Sequence, residues 1–310
     1  MRQKPSILHK HISKAIALLL LPTLGISCQQ GSHQQPGPGD KSLPIRISTR
    51  LEAHATRATD TAFEDGDQVG VYVVDRIDGK QTSLLASGNH ADNARFTYHS
   101  TWTPDQPLYW LDQDTHADFY LYYPHDPQMG DPRYWSVSVP TDQSTEAAMR
   151  QADVLVGRAL DASAADQVVS ILARHVMSRL TITLQAGKGV TEEELKAARL
   201  EVYVNRLVTE SRVNIATATV RAYGTVQHDI RACQTEPLTF AITAVPQTVK
   251  TGTLITIVVN GDRYTLRNAI TLRQGTSHHA TVSLGASDGS LGATIAGWTT
   301  DDKDYGGTAQ

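Results

Sequence analysis

Short runs in which apolar and polar residues alternate recur along this chain, and a period of two limits what it can fold into. Val69, Val71 and Val73 share one face of Phe63–Asp75, FEDGDQVGVYVVD. Successive strand residues point to opposite sides, so each such run offers one face to a core. Further runs of strand length are Leu43–Leu51, Tyr134–Pro140, Ala152–Arg158, two within Val168–Ala186, Leu200–Val208, Asn214–Gln227, Thr235–Val245, Leu254–Val259, Leu266–Leu272 and His278–Leu284. Turn chemistry separates them. Asp65-Gly66-Asp67 suits a turn, Pro104, Pro107, Pro124 and Pro127 mark strand ends, and Asn260-Gly261-Asp262 signals a tight hairpin. Thr191–Leu200, TEEELKAARL, is the clear helix: Thr191 caps it and Glu194 completes a capping box. The pattern predicts a mainly β chain of β-sandwiches with one short helix in its C-terminal part.

The N-terminus has a different logic. Arg2, Lys4, Lys10 and Lys14 precede an uncharged run, Ala15–Ile26, which ends at Ser27-Cys28. Basic start, apolar middle and small residues before a cysteine make an export-signal pattern. The run is too short for a spanning helix, which needs roughly 20 residues. Leu24-Gly25-Ile26-Ser27-Cys28 resembles a bacterial lipobox, which implies cleavage before Cys28 and palmitate-type acylation of its thiol. Several acyl chains anchor stably where one binds only marginally. Residues 1–27 are then a lipoprotein signal peptide and 28–42, rich in Gln, Gly and Pro, a flexible tether. The small-residue stretch Asp161–Asp166 suggests a boundary between an N-terminal domain, 43–163, and a C-terminal one, 164–310.

The leader carries four of the 28 basic residues and no acid, so the remainder has 24 bases against 32 acids, a formal charge of −8. An acidic export product lacks the basic face that nucleic-acid binding needs. Cys233 is the one cysteine besides Cys28, so acylation of Cys28 excludes an intrachain disulfide.

Residues with chemical potential have structural readings. Nine of the 19 aromatics fall within Phe96–Pro124; exposed they would stack on sugar rings, but alternating in strands they read as core. Asp65 and Asp67 lack the following Glu of a calcium loop. His175, beside Val176 and Met177, reads as structural. His278 and His279 face opposite ways on a strand and do not share a metal. No nucleophile elbow, zinc helix, phosphate loop or C-x-x-C pair is present, so no cofactor or enzymatic activity is expected.

An ordered set of local patterns is similar to the fimbrillin family of Mfa-like pilus subunits. It comprises Thr56-Arg57-Ala58, Phe63-Glu64-Asp65-Gly66-Asp67 with Val69-Gly70-Val71-Tyr72, Pro107-Leu108-Tyr109-Trp110, Phe119-Tyr120 and Tyr123-Pro124. Asp153-Val154-Leu155, His175-Val176-Met177-Ser178-Arg179-Leu180, Val245-Pro246-Gln247 and Ile295-Ala296-Gly297-Trp298 complete it. The resemblance implies two transthyretin-like β-sandwich domains in tandem. It implies an outer-membrane lipoprotein precursor that joins a fimbrium with other fimbrial subunits and meets a host or bacterial surface ligand. It further implies a self-complementing first strand, with Leu43, Ile45, Ile47 and Leu51 in a groove. Arg57 is then the expected cleavage site, ahead of Arg50 and Arg46, and a neighbour's strand refills the groove by β-augmentation. The polar tail after Trp298 suits a donor poorly, which fits either a tip or accessory subunit whose own tail need not donate, or a donor at Ser283–Trp298. An outer-membrane-anchored glycan-binding lipoprotein using the Phe96–Tyr123 aromatics is the competing reading.

Overall fold

The computed structural model describes residues 43–51, 63–287, 290–300 and 303–304. The first half forms β1 (Ile47–Leu51), β2 (Gln68–Asp75), β3 (Ala91–Tyr98), β4 (Trp102–Pro104), β5 (His116–Tyr123), β6 (Trp135–Ser138), α1 (Glu146–Gln151), β7 (Leu155–Ser163) and β8 (Val169–His175). Then come β9 (Ser178–Ala186), α2 (Glu192–Ala197), β10 (Leu200–Val208), β11 (Glu210–Asn214), β12 (Thr219–Ala222), β13 (Gln227–Arg231) and β14 (Cys233–Glu236). The last are β15 (Thr239–Ala244), β16 (Gln247–Val259), β17 (Asp262–Leu272), β18 (Ser277–Ser287), β19 (Ser290–Thr300) and β20 (Lys303–Asp304). The mainly β expectation holds.

The strands form four sheets. One has seven strands in the order β1-β8-β7-β5-β2-β3-β4. Its central strands, β2 and β5, are buried on both sides, which is why QVGVYVVD and HADFYLYY are apolar almost throughout. Val69, Val71 and Val73 enter one core with Phe96, Phe119 and Ile171, while Tyr72, Val74, Tyr120 and Tyr122 enter the other. Gly70 lies directly opposite Tyr122 in the ladder. A Cβ there would sit 2.0 Å from the Tyr122 ring, so only glycine lets that ring lie across the strand.

The second core runs on into the C-terminal half. It is enclosed by the sheets β13-β10-β16-β17 and β14-β15-β9-β18-β19-β20, through residues such as Val204, Ile257, Ile182 and Val282. The Asn260-Gly261 signal is realised as the β16–β17 turn, with positive φ at both residues (54° and 104°), the requirement of a two-residue hairpin loop. In α2 the Glu194 amide donates to the Thr191 hydroxyl (3.2 Å), and the Thr191 amide to the Glu194 carboxylate (2.8 Å).

One expectation needs correcting. The chain has a second helix, α1, where the sequence pattern predicts only the one in the C-terminal part. Thr145 caps it by accepting from the Ala148 amide, and Met149 is its buried residue. Six residues with one inward side chain leave no periodicity to read.

The expected boundary at 163/164 falls between β7 and β8, which pair antiparallel in the seven-stranded sheet. β6 also pairs with β11 across the two halves. We therefore propose that the domain division lies after His175 rather than before Ala164, which keeps the seven-stranded sheet whole and leaves the β6–β11 ladder crossing it.

Candidate functional site

The seven-stranded sheet curls until its two edge strands face one another. Trp102 on β4 donates its indole N–H to the Thr49 hydroxyl on β1 (3.0 Å). Thr49 is the one polar residue in the row Leu43, Ile45, Ile47, Leu51, and this bond is the reason it fits there. Ile45 and Ile47 are 3% and 5% exposed, while Leu43 and Leu51 pack half-buried against the same core.

The leading segment changes partners midway. The Trp110 amide donates to the Leu43 carbonyl (2.9 Å), and the Ile45 amide to the Leu108 carbonyl (2.8 Å). From there the chain turns to β8. The Val169 amide donates to the Arg46 carbonyl (2.8 Å), and Ile47–Leu51 runs parallel to Val169–Ala173. A parallel pair has no hairpin and is slightly weaker per residue than an antiparallel one. Among the described residues β1 is thus an edge strand that fills a core without a turn tying it to a neighbour.

Beside β1 lies a cleft of about 780 Å³, lined by residues of β1 together with Phe63, Tyr98, Trp102 and Val168. Phe63 packs edge-on against Trp102 (4.9 Å between centroids) and against Tyr123 (5.8 Å). The FEDGD motif places it there. Gly66 takes a positive φ of 91°, and the Asp67 carboxylate closes the turn by accepting from the Glu64 amide (2.8 Å). The same residue's other oxygen accepts from the Tyr123 hydroxyl. Burial and the Asp67 charge push that hydroxyl's pKa up to about 12.

Sequence reasoning missed His90. Its Nδ1 lies 2.9 Å from the Asp75 carboxylate and its Nε2 2.9 Å from the Tyr109 carbonyl. Neither partner can donate, so both contacts are made only by the doubly protonated ring. The bond to Asp75 accordingly raises the His90 pKa, against the opposing effect of burial. Tyr109 is the residue that bridges Pro44, so His90 braces the loop that clasps the leading segment.

The other sequence candidates fall as follows. Arg46 and Arg50 lie in or beside the β1 ladder, and Arg50 Nε donates to the Ser170 hydroxyl (3.2 Å). Cys28 and Arg57 lie outside the described residues. His175 is bonded to Asp153 (2.9 Å), and the His278 Nε2 accepts from the Arg273 amide. Trp102, Trp110 and Tyr122 are 8%, 7% and 0% exposed. They are core, so the Phe96–Tyr123 aromatics make no exposed sugar platform.

These features define a class: a β-sandwich protein whose own leading strand completes its first core from the sheet edge. The chain belongs to the fimbrillin-like family, whose model matches residues 56–298. A curated relative, "Putative fimbrium subunit Fim1C" of Bacteroides uniformis, is 25% identical over 210 residues. That match covers 66% of this chain and 64% of the relative, under two thirds of its length. The fold is shared with crystal structures of two proteins each described as a "putative cell adhesion protein". The one from Bacteroides uniformis ATCC 8492 has a TM-score of 0.64 at 17% identity, covering 86% of this chain and 99% of that one. The one from Bacteroides ovatus ATCC 8483 has a TM-score of 0.67 at 17% identity, covering 84% and 98%.

Proposed function

We propose that this chain is the lipoprotein precursor of a fimbrial subunit whose leading strand is a replaceable plug. The observation that carries the reading is the attachment of residues 43–51. Two of their side chains are buried in the first core, yet among the described residues they are held by an edge ladder and a clasp and by no hairpin. Among the described residues, withdrawal of such a strand breaks no turn. It leaves a groove of unpaired backbone and apolar surface, which an extended segment of a second subunit refills.

In this account export and acylation at Cys28 bring the precursor to the outer membrane, and cleavage after Arg57 releases the plug. Arg46 and Arg50 are poorer sites because their peptide bonds lie in the ladder. The incoming strand comes from a neighbour's C-terminal region. β19 suits that role, since among the described residues it lies near the margin of its sheet with only the two-residue β20 outside it. The assembled fimbrium presents the subunit to other bacteria or a host surface.

N-terminal sequencing of surface-extracted polymer tests the account. A start at Ala58 is the expected result. A start at Cys28 on all assembled material would contradict it.

A further inference from the structure

The three-stranded sheet β12-β11-β6 is buried on one side and open on the other. Trp135, Ser211, Val213 and Val220 face inward. On the outer face the ladder sets Ser136, Arg212 and Arg221 directly across from one another. Two arginines opposite each other in an antiparallel pair repel, and neither has a carboxylate within ion-pair distance among the described residues. The acid on this face, Glu210, accepts from the Ser138 hydroxyl (2.8 Å).

Arg212 is held in place before any ligand arrives. Its guanidinium lies 4.0 Å from the centre of the Tyr223 ring, and its Nη1 donates to the Ser136 hydroxyl. A planar guanidinium fixed in this way is set to take a carboxylate by two parallel bonds. Tyr223 and Tyr134, at the two ends of the face, are 54% and 68% exposed.

We propose that this face binds an acidic glycan, with Arg212 and Arg221 sharing the carboxylate of a sialic or uronic acid. Tyr134, and the face of Tyr223 that Arg212 leaves uncovered, then meet sugar C–H groups, and Ser136, Ser138 and Glu210 bond sugar hydroxyls. The two arginines against one acid leave a net positive charge on a chain that is otherwise acidic, so the charge selects for an anion. A sugar is favoured over an acidic peptide because, the tyrosines apart, the face is polar. A peptide gains specificity by seating apolar anchors, and the outer-face ladder positions Ser136, Ser138, Glu210, Arg212 and Arg221 are all polar or charged. A single shallow face of this kind binds weakly, with Kd on the order of 1 mM, and repetition along a polymer multiplies it by avidity. The assignment is independent of whether the leading strand is replaced.

The test is saturation-transfer NMR on the full chain with 3′-sialyllactose, a glucuronate-terminated disaccharide, neutral lactose and a hexaglutamate peptide. One or both acidic sugars should bind, and lactose should not. Arg221→Gln should weaken binding at least fivefold. Arg212→Lys should weaken it comparably, because it keeps the charge but loses the planar fork. Unchanged melting temperatures would show that these solvent-facing substitutions leave the fold intact. The proposal is overturned if neither acidic sugar binds, if lactose binds equally, if hexaglutamate binds more tightly than both sugars, or if the Arg212→Gln/Arg221→Gln variant binds like the parent.

Discussion

Replacing Thr49 by Val isolates the contact that joins the leading strand to the opposite edge of its sheet. Valine keeps the shape and the β-branched stiffness that suits a strand. It removes the acceptor of the Trp102 indole N–H, in a tryptophan that is 8% exposed. Leaving a buried donor unsatisfied costs about 1–3 kcal/mol. The added methyl returns at most ~0.8 kcal/mol if fully buried, and residue 49 is only half-buried. The net loss is therefore about 1–2 kcal/mol, roughly a 5- to 30-fold rise in the population with the strand released. β1 is an edge strand, so the loss should appear as local opening rather than global unfolding. Hydrogen exchange followed by mass spectrometry should show residues 43–51 exchanging 5 to 30 times faster by that same estimate, with β16 unaffected. Trp102→Phe supplies the other half of a double-mutant cycle, and the pair should couple by ~1 kcal/mol. Unchanged exchange of residues 43–51 in Thr49→Val, or strict additivity with Trp102→Phe, would refute the claim that this bond fastens the strand.

Three further outcomes follow from the geometry. Ile47→Ala empties a site that is 5% exposed, should cost ~2–5 kcal/mol, and should make Arg46 and Arg50 sensitive to trypsin in timed digests. Gly70→Ala forces a Cβ to within 2.0 Å of the fully buried Tyr122 ring. It should cost about 3 kcal/mol, the upper part of the overpacking range, and lower the melting temperature by roughly 6–12 °C; a melt within a degree of the parent would contradict the packing. For His90 the folded pKa is raised above its ordinary 6.5, so its contribution is fully present below that value and is lost as pH rises through the folded pKa. Exchange protection of residues 43–45 and 108–110, corrected for intrinsic rates, should fall across that window, and His90→Gln should flatten the profile.

Local signals in the sequence were legible where one element sufficed to produce them. The capping box of α2, the Asn260-Gly261 turn and the alternation of Leu43–Leu51 each depend on neighbouring residues alone. The aromatics of Phe96–Tyr123 were readable as core for the same reason, although Tyr109 is 43% exposed at the clasp. Pairing between distant segments was not legible. Nothing near Ile47 announces a parallel partner at Val169, and nothing near Leu43 announces the loop Leu108–Trp110. His90 sits in a polar turn, with partners 15 and 19 residues away along the chain. Its role exists only once β2 and the clasp are folded. The boundary near residue 163 was drawn from composition, whereas the sheets follow hydrogen bonds that run past it.

The central claim is that residues 43–51 occupy a groove that another chain takes over. It is tested most directly by trimming the purified precursor with trypsin and following assembly by electron microscopy and denaturant-resistant gel ladders. Loss of the segment should be followed by ladders and filaments, and a synthetic peptide spanning Leu43–Leu51 should suppress them. Trimmed protein that stays folded and monomeric, or filaments in which every subunit retains the segment, would contradict it.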